Sequence, residues 1–293
     1  MGTYLCHGYG YDSSGDDYLC TVSETVYSVD CHVGNKGVGK MKLLIISDIH
    51  GNIDALEAVW AAEGWADQIY CAGDLTDYGV FPKQVIGWLK EHHGVAVKGN
   101  HDIHTVHIYE DTLWQQVPDH EFKWVHHTCA CLNRTEIDYL KSLPEKMCFE
   151  ADGIGYIMCH QYDDGYGVIE SRGQFEEFWR ISGGCCLGHV RKRRVIVGHT
   201  HRQCIHILGD SACWLNPGSV SYRRPDDSDK EAQYIVIEDG KICLKSVPYD
   251  RSRSLRISME YLRKGKMMES ELQDAMFFFG NARTSREPLS DYL

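Results

Sequence analysis

A chain of 293 residues with 43% apolar content can enclose one large α/β core and is short for two full catalytic domains. Its 30 Lys and Arg against 42 Asp and Glu give a formal charge of −12. That balance disfavours general binding to nucleic-acid backbones or anionic membranes, which rests on cationic side chains releasing counterions. The 13 cysteines follow no regular disulfide spacing, no basic start precedes an apolar leader, and no run of about 20 apolar residues could span a bilayer. Reduced thiols and a cytoplasmic location are therefore expected.

Residues 1–40 are rich in Gly, Tyr, Asp and Ser and sustain neither a helical nor a strand period, so they read as a low-order N-terminal extension, with Met41 a candidate start. Gly34-Asn35-Lys36-Gly37-Val38-Gly39-Lys40 imitates a phosphate-binding loop. Met41, however, stands where a Ser or Thr would hold magnesium, and a strand follows where a helix is required. Cys6, His7, Cys20, Cys31 and His32 contain no close Cys-x-x-Cys pair and read as scattered residues rather than a zinc site.

Strand and helix then alternate. Residues 43–47 read as a strand, 53–63 as a helix with Leu56, Val59 and Trp60 on one face, 68–72 as a strand, 82–90 as a helix opened by Pro82, and 95–97 as a strand. Asp48, Asp74 and Asn100 each follow the carboxyl end of one of these strands, where open α/β sheets bind ligands. Residues 111–143 read as a helical insertion overhanging that edge. The strand 154–159 delivers His160, and 195–197 delivers His199 and His201. The run Arg191-Lys192-Arg193-Arg194 reads as a solvated charged turn. Segments 205–208, 212–215, 234–238 and 242–247 read as hairpins of a second sheet. A tail, 251–293, carries helices over 255–264 and 269–279, with Phe277-Phe278-Phe279 as a packing or dimer patch. The main domain is expected over 41–250.

Four fragments carry chemistry in a fixed order: Asp48-Ile49-His50, Gly73-Asp74, Gly99-Asn100-His101-Asp102 and Gly198-His199-Thr200-His201. Each alone is weak. Together they supply imidazoles and carboxylates suited to a borderline cation, while a shared carboxylate and a neutral amide oxygen can hold a second cation about 3.5–4 Å away.

This ordered set resembles the calcineurin-like metallophosphoesterase family over roughly residues 41–250. Gly73-Asp74-Leu75-Thr76-Asp77-Tyr78-Gly79 and Asn216-Pro217-Gly218-Ser219-Val220 are similar to its bacterial and archaeal phosphodiesterase-like members. The resemblance implies a four-layer α/β/β/α sandwich with two mixed sheets. It also implies two divalent transition-metal ions, one on Asp48, His50 and His201, the other on Asn100, His160 and His199, with Asp74 between them. Manganese is expected first, with iron, zinc, nickel or cobalt as alternatives, because four imidazoles disfavour magnesium. His101 would act on the substrate and Asp102 would orient its ring.

The implied reaction is hydrolysis of a phosphodiester or nucleotide-type substrate by a metal-bridging hydroxide. A phosphomonoesterase, including a protein phosphatase, a dinucleoside polyphosphate hydrolase and a metal-free binding scaffold stand as alternatives. Protein Ser/Thr phosphatases of the superfamily usually carry Gly-Asp-x-x-x-Arg-Gly at the second motif. This chain lacks that arginine, and Asp77 is expected to repel the extra charge of a monoester. The expected partner is a small phosphorylated substrate, with no general nucleic-acid or membrane binding and the oligomeric state open. The motifs assign no substrate-binding residue.

Overall fold

The computed structural model describes residues 27–28, 41–221, 227, 229–284 and 287–292. The loop-like motifs and scattered Cys and His read from residues 1–40 lie outside them, apart from the short strand β1 (Tyr27–Ser28).

Strand β2 (Lys42–Ile46) is buried along its whole length, as its unbroken apolar sequence requires of a strand covered on both faces. Leu43 and Ile45 point toward a second sheet, meeting Phe149, Tyr156, Met158 and Ile196. Leu44 and Ile46 point the other way, into Leu56 and Val59 of α1 (Ile53–Glu63) and Val85 and Leu89 of α2 (Pro82–Glu91). On the far side of the second sheet, Ile157, Val195 and Trp214 are covered by Phe175, Phe178 and Trp179 of α6 (Arg172–Ile181). Helices, sheet, sheet and helix make the four layers.

The first sheet runs β11-β10-β2-β3-β4, with β3 (Gln68–Cys71) and β4 (Val95–Ala96) parallel to β2. The second runs β1-β5-β6-β7-β9-β8. It consists of β1, β5 (Lys146–Ala151), β6 (Ile154–Cys159), β7 (Lys192–Val197), β8 (Cys204–Ile207) and β9 (Ala212–Asn216).

Two expectations are corrected here. Of the four late strands read as a second sheet, β10 (Ala232–Glu238) and β11 (Lys241–Val247) complete the first sheet instead, Ile235 pairing with Ile45 and Val236 with Leu44. Residues of both parities in β10 are buried, Ile235 and Ile237 between the sheets and Tyr234 and Val236 under the helices, so this strand needs a place covered on both sides. The charged run is the second correction. Lys192–Val197 is all strand, Arg193 forms two 2.7 Å hydrogen bonds to Glu176, and Arg194, 9% exposed, donates to Tyr156 Oη and the Gly240 carbonyl. Paired guanidinium groups let cationic residues stay inside a sheet.

Between β4 and β5 lie α3 (Asn100–Glu110), two short 3₁₀ turns, α4 (Trp124–Cys131) and α5 (Arg134–Ser142). The closing helices α7 (Ser252–Arg263) and α8 (Glu269–Phe279) pack on this insertion. Glu271 receives the Trp124 backbone N–H, and Phe277, Phe278 and Phe279 are 4–5% exposed, so the aromatic triplet is internal packing. Val80 joins the same cluster, which sets the tail beside the segment that follows Asp74. Among the described residues no helix is long and apolar enough to cross a membrane.

Candidate metal centre

The loops after the strands are laced to one another by backbone hydrogen bonds. Asp48 N–H donates to Gly73 O, His50 N–H to Asp74 O, Gly198 N–H to His160 O and Val220 N–H to Ser47 O, at 2.9–3.0 Å. Ser219 Oγ donates to Asp48 O, and Asn216 Nδ2 donates to Gly198 O and Thr200 Oγ1. Asp48, His50, Asp74, His199 and His201 all lie in the left-handed backbone region, with φ between 46° and 62°. Such residues cost of order 1 kcal/mol each and persist where the surroundings over-determine them. Gly73 has φ of 97°, and a Cβ there would sit 2.7 Å from His160 Nδ1, so both the turn and the close approach of the ring demand glycine.

These turns bring all seven expected ligands together. Asp48, His50 and His201 form one group of potential ligand atoms and Asp74, His160 and His199 a second, each with its atoms within 4.8 Å of one another. Asn100 Oδ1 lies 2.9 Å from His160 Nε2 and 3.0 Å from His199 Nδ1. Asp74 Oδ2 lies 3.1 Å from His160 Nε2 and 3.8 Å from His50 Nε2, and Asp48 Oδ1 lies 3.1 Å from His201 Nε2.

The donor set fits metal ions on a geometric ground. His160 Nδ1–H donates to Ala72 O at 2.7 Å and His50 Nδ1–H to Thr76 O at 3.2 Å, which turns each Nε2 toward a carboxylate. That arrangement calls for positive charge between ring and carboxylate, which a metal ion supplies and which, in its absence, a proton on His160 supplies. Burial opposes a charge on His160, yet the Asp74 carboxylate beside it pushes its pKa up to about 10. Burial holds His50 down to about 4, against the pull of Asp74. Burial also works to raise both carboxylates, but His201 beside Asp48 and His160 beside Asp74 hold them below the usual range.

The role expected of Asp102 is corrected. Its Oδ1 accepts from Leu75 N, Thr76 N and Thr76 Oγ1 and its Oδ2 from Gly99 N, so it caps α3 and ties that helix to the loop after β3. The residue that orients His101 is Asp77, whose Oδ2 lies 2.8 Å from His101 Nδ1. Burial disfavours charge on His101, but this hydrogen bond and the nearby Asp74 carry its pKa up to about 9. Asp77, expected to repel a substrate charge, is 4% exposed and is engaged by His101 and by the Tyr78 backbone N–H. Along the Gly-Asp-x-x-x-Arg-Gly spacing the arginine position falls on Tyr78, whose ring packs against His50 at 5.2 Å and His101 at 4.7 Å.

Tyr166 also went unrecognised in the sequence. It stacks on His199 at 4.9 Å and 9° between ring planes, and the residue is 73% exposed. Its loop is held by Asp163 Oδ1, which accepts from Gly165 N and Gly167 N. The Asp-x-Gly-x-Gly spacing around Tyr166 announces a tight turn but not its direction.

A sequence profile described as the calcineurin-like phosphoesterase superfamily domain matches residues 41–239. An uncharacterized protein of Methanocaldococcus jannaschii is 24% identical, the match covering 72% of this chain and 89% of that protein. Among solved structures, a metallophosphoesterase from Sphaerobacter thermophilus superposes with a TM-score of 0.60 at 22% identity, covering 82% of this chain and 100% of the other. A hypothetical protein from Pyrococcus horikoshii OT3 superposes with a TM-score of 0.60 at 19% identity, covering 82% and 98%.

Proposed function

Because the chain belongs to the calcineurin-like phosphoesterase superfamily, we propose that it hydrolyses a phosphodiester or nucleotide-type substrate at two divalent transition-metal ions. The observation that carries this reading is the edge shared by the two ligand groups, where Asp74 Oδ2 faces both His160 Nε2 and His50 Nε2. Four imidazoles, two carboxylates and an amide oxygen suit manganese, iron, zinc, nickel or cobalt better than magnesium. Asp48 and Asp74 neutralise only part of the charge of two divalent ions, which leaves a positive focus for phosphate within an acidic protein.

When bound, the ions supply Lewis acidity toward the phosphoryl group and the attacking water. The chain supplies the rest. Asp77 takes the Nδ1 proton of His101 in a hydrogen bond and leaves Nε2 to donate to a nonbridging or leaving oxygen. Asn216 and Ser219 hold the Asp48 and His199 loops from behind.

Two features favour a diester. Tyr78 stands at the arginine position, so no guanidinium there can make bidentate contacts to a dianionic monoester. The open side of Tyr166 offers a flat apolar surface on which a nucleobase or aryl group can stack beside the ions.

With manganese present, kcat/KM should be higher for bis-p-nitrophenyl phosphate than for p-nitrophenyl phosphate, both of which release the same chromophore. A clear monoester preference across a range of pH would promote the phosphomonoesterase reading. Elemental analysis should find two ions per chain in the wild type and fewer in Asp74→Asn, because the shared ligand loses its charge. Metal-saturated wild type that consistently held no transition metal would leave only the scaffold reading.

A further inference from the structure

A third group of potential ligands lies beside the first two and is absorbed by neither. Asp77, His101 and His104 each place one ligand atom within 4.8 Å of the others. We propose that this cluster is a separate, lower-affinity binding site for a transition-metal cation, filled when zinc is in excess, and that an ion held there inhibits the enzyme by engaging His101. The inhibition rests on the hydrolase reading above, whereas the site itself does not.

The donors are two imidazoles and one carboxylate, a set that binds borderline cations and leaves positions for water. His101 and His104 are three residues apart on α3 and share one face of the helix. Asp77 is held in the left-handed region at φ of 71°, its Oδ1 accepting the Tyr78 N–H, which turns Oδ2 toward His101. Ligand atoms on a tetrahedral zinc ion stand about 3.3 Å apart at bond lengths of about 2.0–2.1 Å. The 2.8 Å contact between Asp77 and His101 therefore opens slightly, and His104, which is exposed, swings inward to close the triangle. The proton that His101 holds against Asp77 passes to solvent as the cation replaces it.

The surrounding charge favours a cation. Glu271 and Asp274 of α8 act electrostatically on Tyr78 together with Asp77, which places three carboxylates on this side. Lys123 is close enough to His104 and Glu271 to oppose them, and the balance is acidic. The site also abuts the proposed catalytic pair, since the His50 and His101 rings are 5.1 Å apart. An ion there draws His101 away from the substrate and adds positive charge next to the two resident ions. That repulsion explains why the third site fills last.

The test is a zinc titration of the full chain, read by bound-ion count and by hydrolysis of bis-p-nitrophenyl phosphate. Wild type should bind one more zinc ion than His104→Ala at saturation and should lose activity at least tenfold as the additional ion binds. His104→Ala should keep its hydrolysis through the same zinc range, and His104→Asp, which restores a ligand, should regain both the ion and the inhibition. Equal ion counts in wild type and His104→Ala would overturn the site. A difference of one ion without inhibition would overturn its action on His101. The two-ion reading of the main centre fails separately, through a count below two in His104→Ala.

Discussion

Asp77 neighbours His101 in space and Asp102 neighbours it in the chain, and the two do different work because of what each faces. Asp102 is 1% exposed and accepts four hydrogen bonds, and burial together with the Asp74 carboxylate pushes its pKa up to about 6. Asp77 spends one oxygen on His101. His101→Asn should lower kcat by about 10²–10⁴ with the ion count intact, as for removal of a general acid or charge stabiliser. Asp102→Asn should chiefly lower stability, by about 2 kcal/mol, because an amide nitrogen in the place of Oδ2 leaves the Gly99 N–H at the start of α3 without its acceptor. Kinetics and urea midpoints on both variants check the division, and an Asp102→Asn enzyme of full stability with collapsed kcat would reverse it. The convergence of the seven proposed ligands was legible in the sequence because short fragments such as Asp48-Ile49-His50 fix both residue type and spacing. The partner of His101 was not, since adjacency in the chain pointed to Asp102, while the turn at Asp77 reaches the ring from 24 residues away. Tyr166 was hidden for a related reason: its exposure and stacking depend on where the loop lands.

At the scale of elements, Glu63 shows what fastens α1 to the first sheet. Its carboxylate receives Lys42 Nζ at 2.9 Å, Lys245 Nζ at 2.8 Å and Tyr234 Oη at 2.6 Å, from β2, β11 and β10, with its side chain 2% exposed. Burial alone would raise its pKa, but the hydrogen bonds from Lys245, Tyr234 and Lys42 hold it below the ordinary glutamate value of 4.5. A folded-state pKa below the unfolded one stabilises the fold above pH 4.5, and the contribution is lost as pH falls through the folded value. Glu63→Gln should therefore cost about 3 kcal/mol at pH 7, the lower end for breaking a buried pair, because Lys245 can return to water. The gap between the urea midpoints of wild type and variant should narrow toward pH 3, and a constant gap would show that charge is not the source. Elements with clear periodicity, such as Ile53–Glu63 and Ile154–Cys159, were legible to the residue. Helix α3 was not, because Asn-His-Asp-Ile-His-Thr-Val-His has no apolar stripe and the helix is started by Asp102 capping it. The strand content of Lys192–Arg194 was hidden because the pairing of Arg193 with Glu176 and of Arg194 with Tyr156 joins residues distant in the chain.

Across the whole molecule, the sandwich could be expected from the alternation of strand and helix, whereas the sheet that β10 and β11 join is decided by burial on both of their faces, which only the assembled layers reveal. The proposed ligands divide between those layers. Asp48, His50, Asp74 and Asn100 follow strands of the first sheet, and His160, His199 and His201 follow strands of the second. Neither sheet alone can form the centre, so it is complete only after the two have docked, a late event that closes loops of more than a hundred residues. Ions captured there stabilise a state beyond the folding barrier and leave the barrier's approach unchanged. At a free-metal concentration of 100 times Kd the gain is about 2.7 kcal/mol, which should appear as unfolding slowed by about 100-fold with the refolding rate unaltered. Stopped-flow traces with manganese and with chelator would reveal it, and a metal-dependent refolding rate would show that the centre forms early. The split of the proposed ligands between two sheets would thus make a bound metal pair a governor of lifetime. A chain deprived of it would reach its fold at the usual speed and leave it sooner.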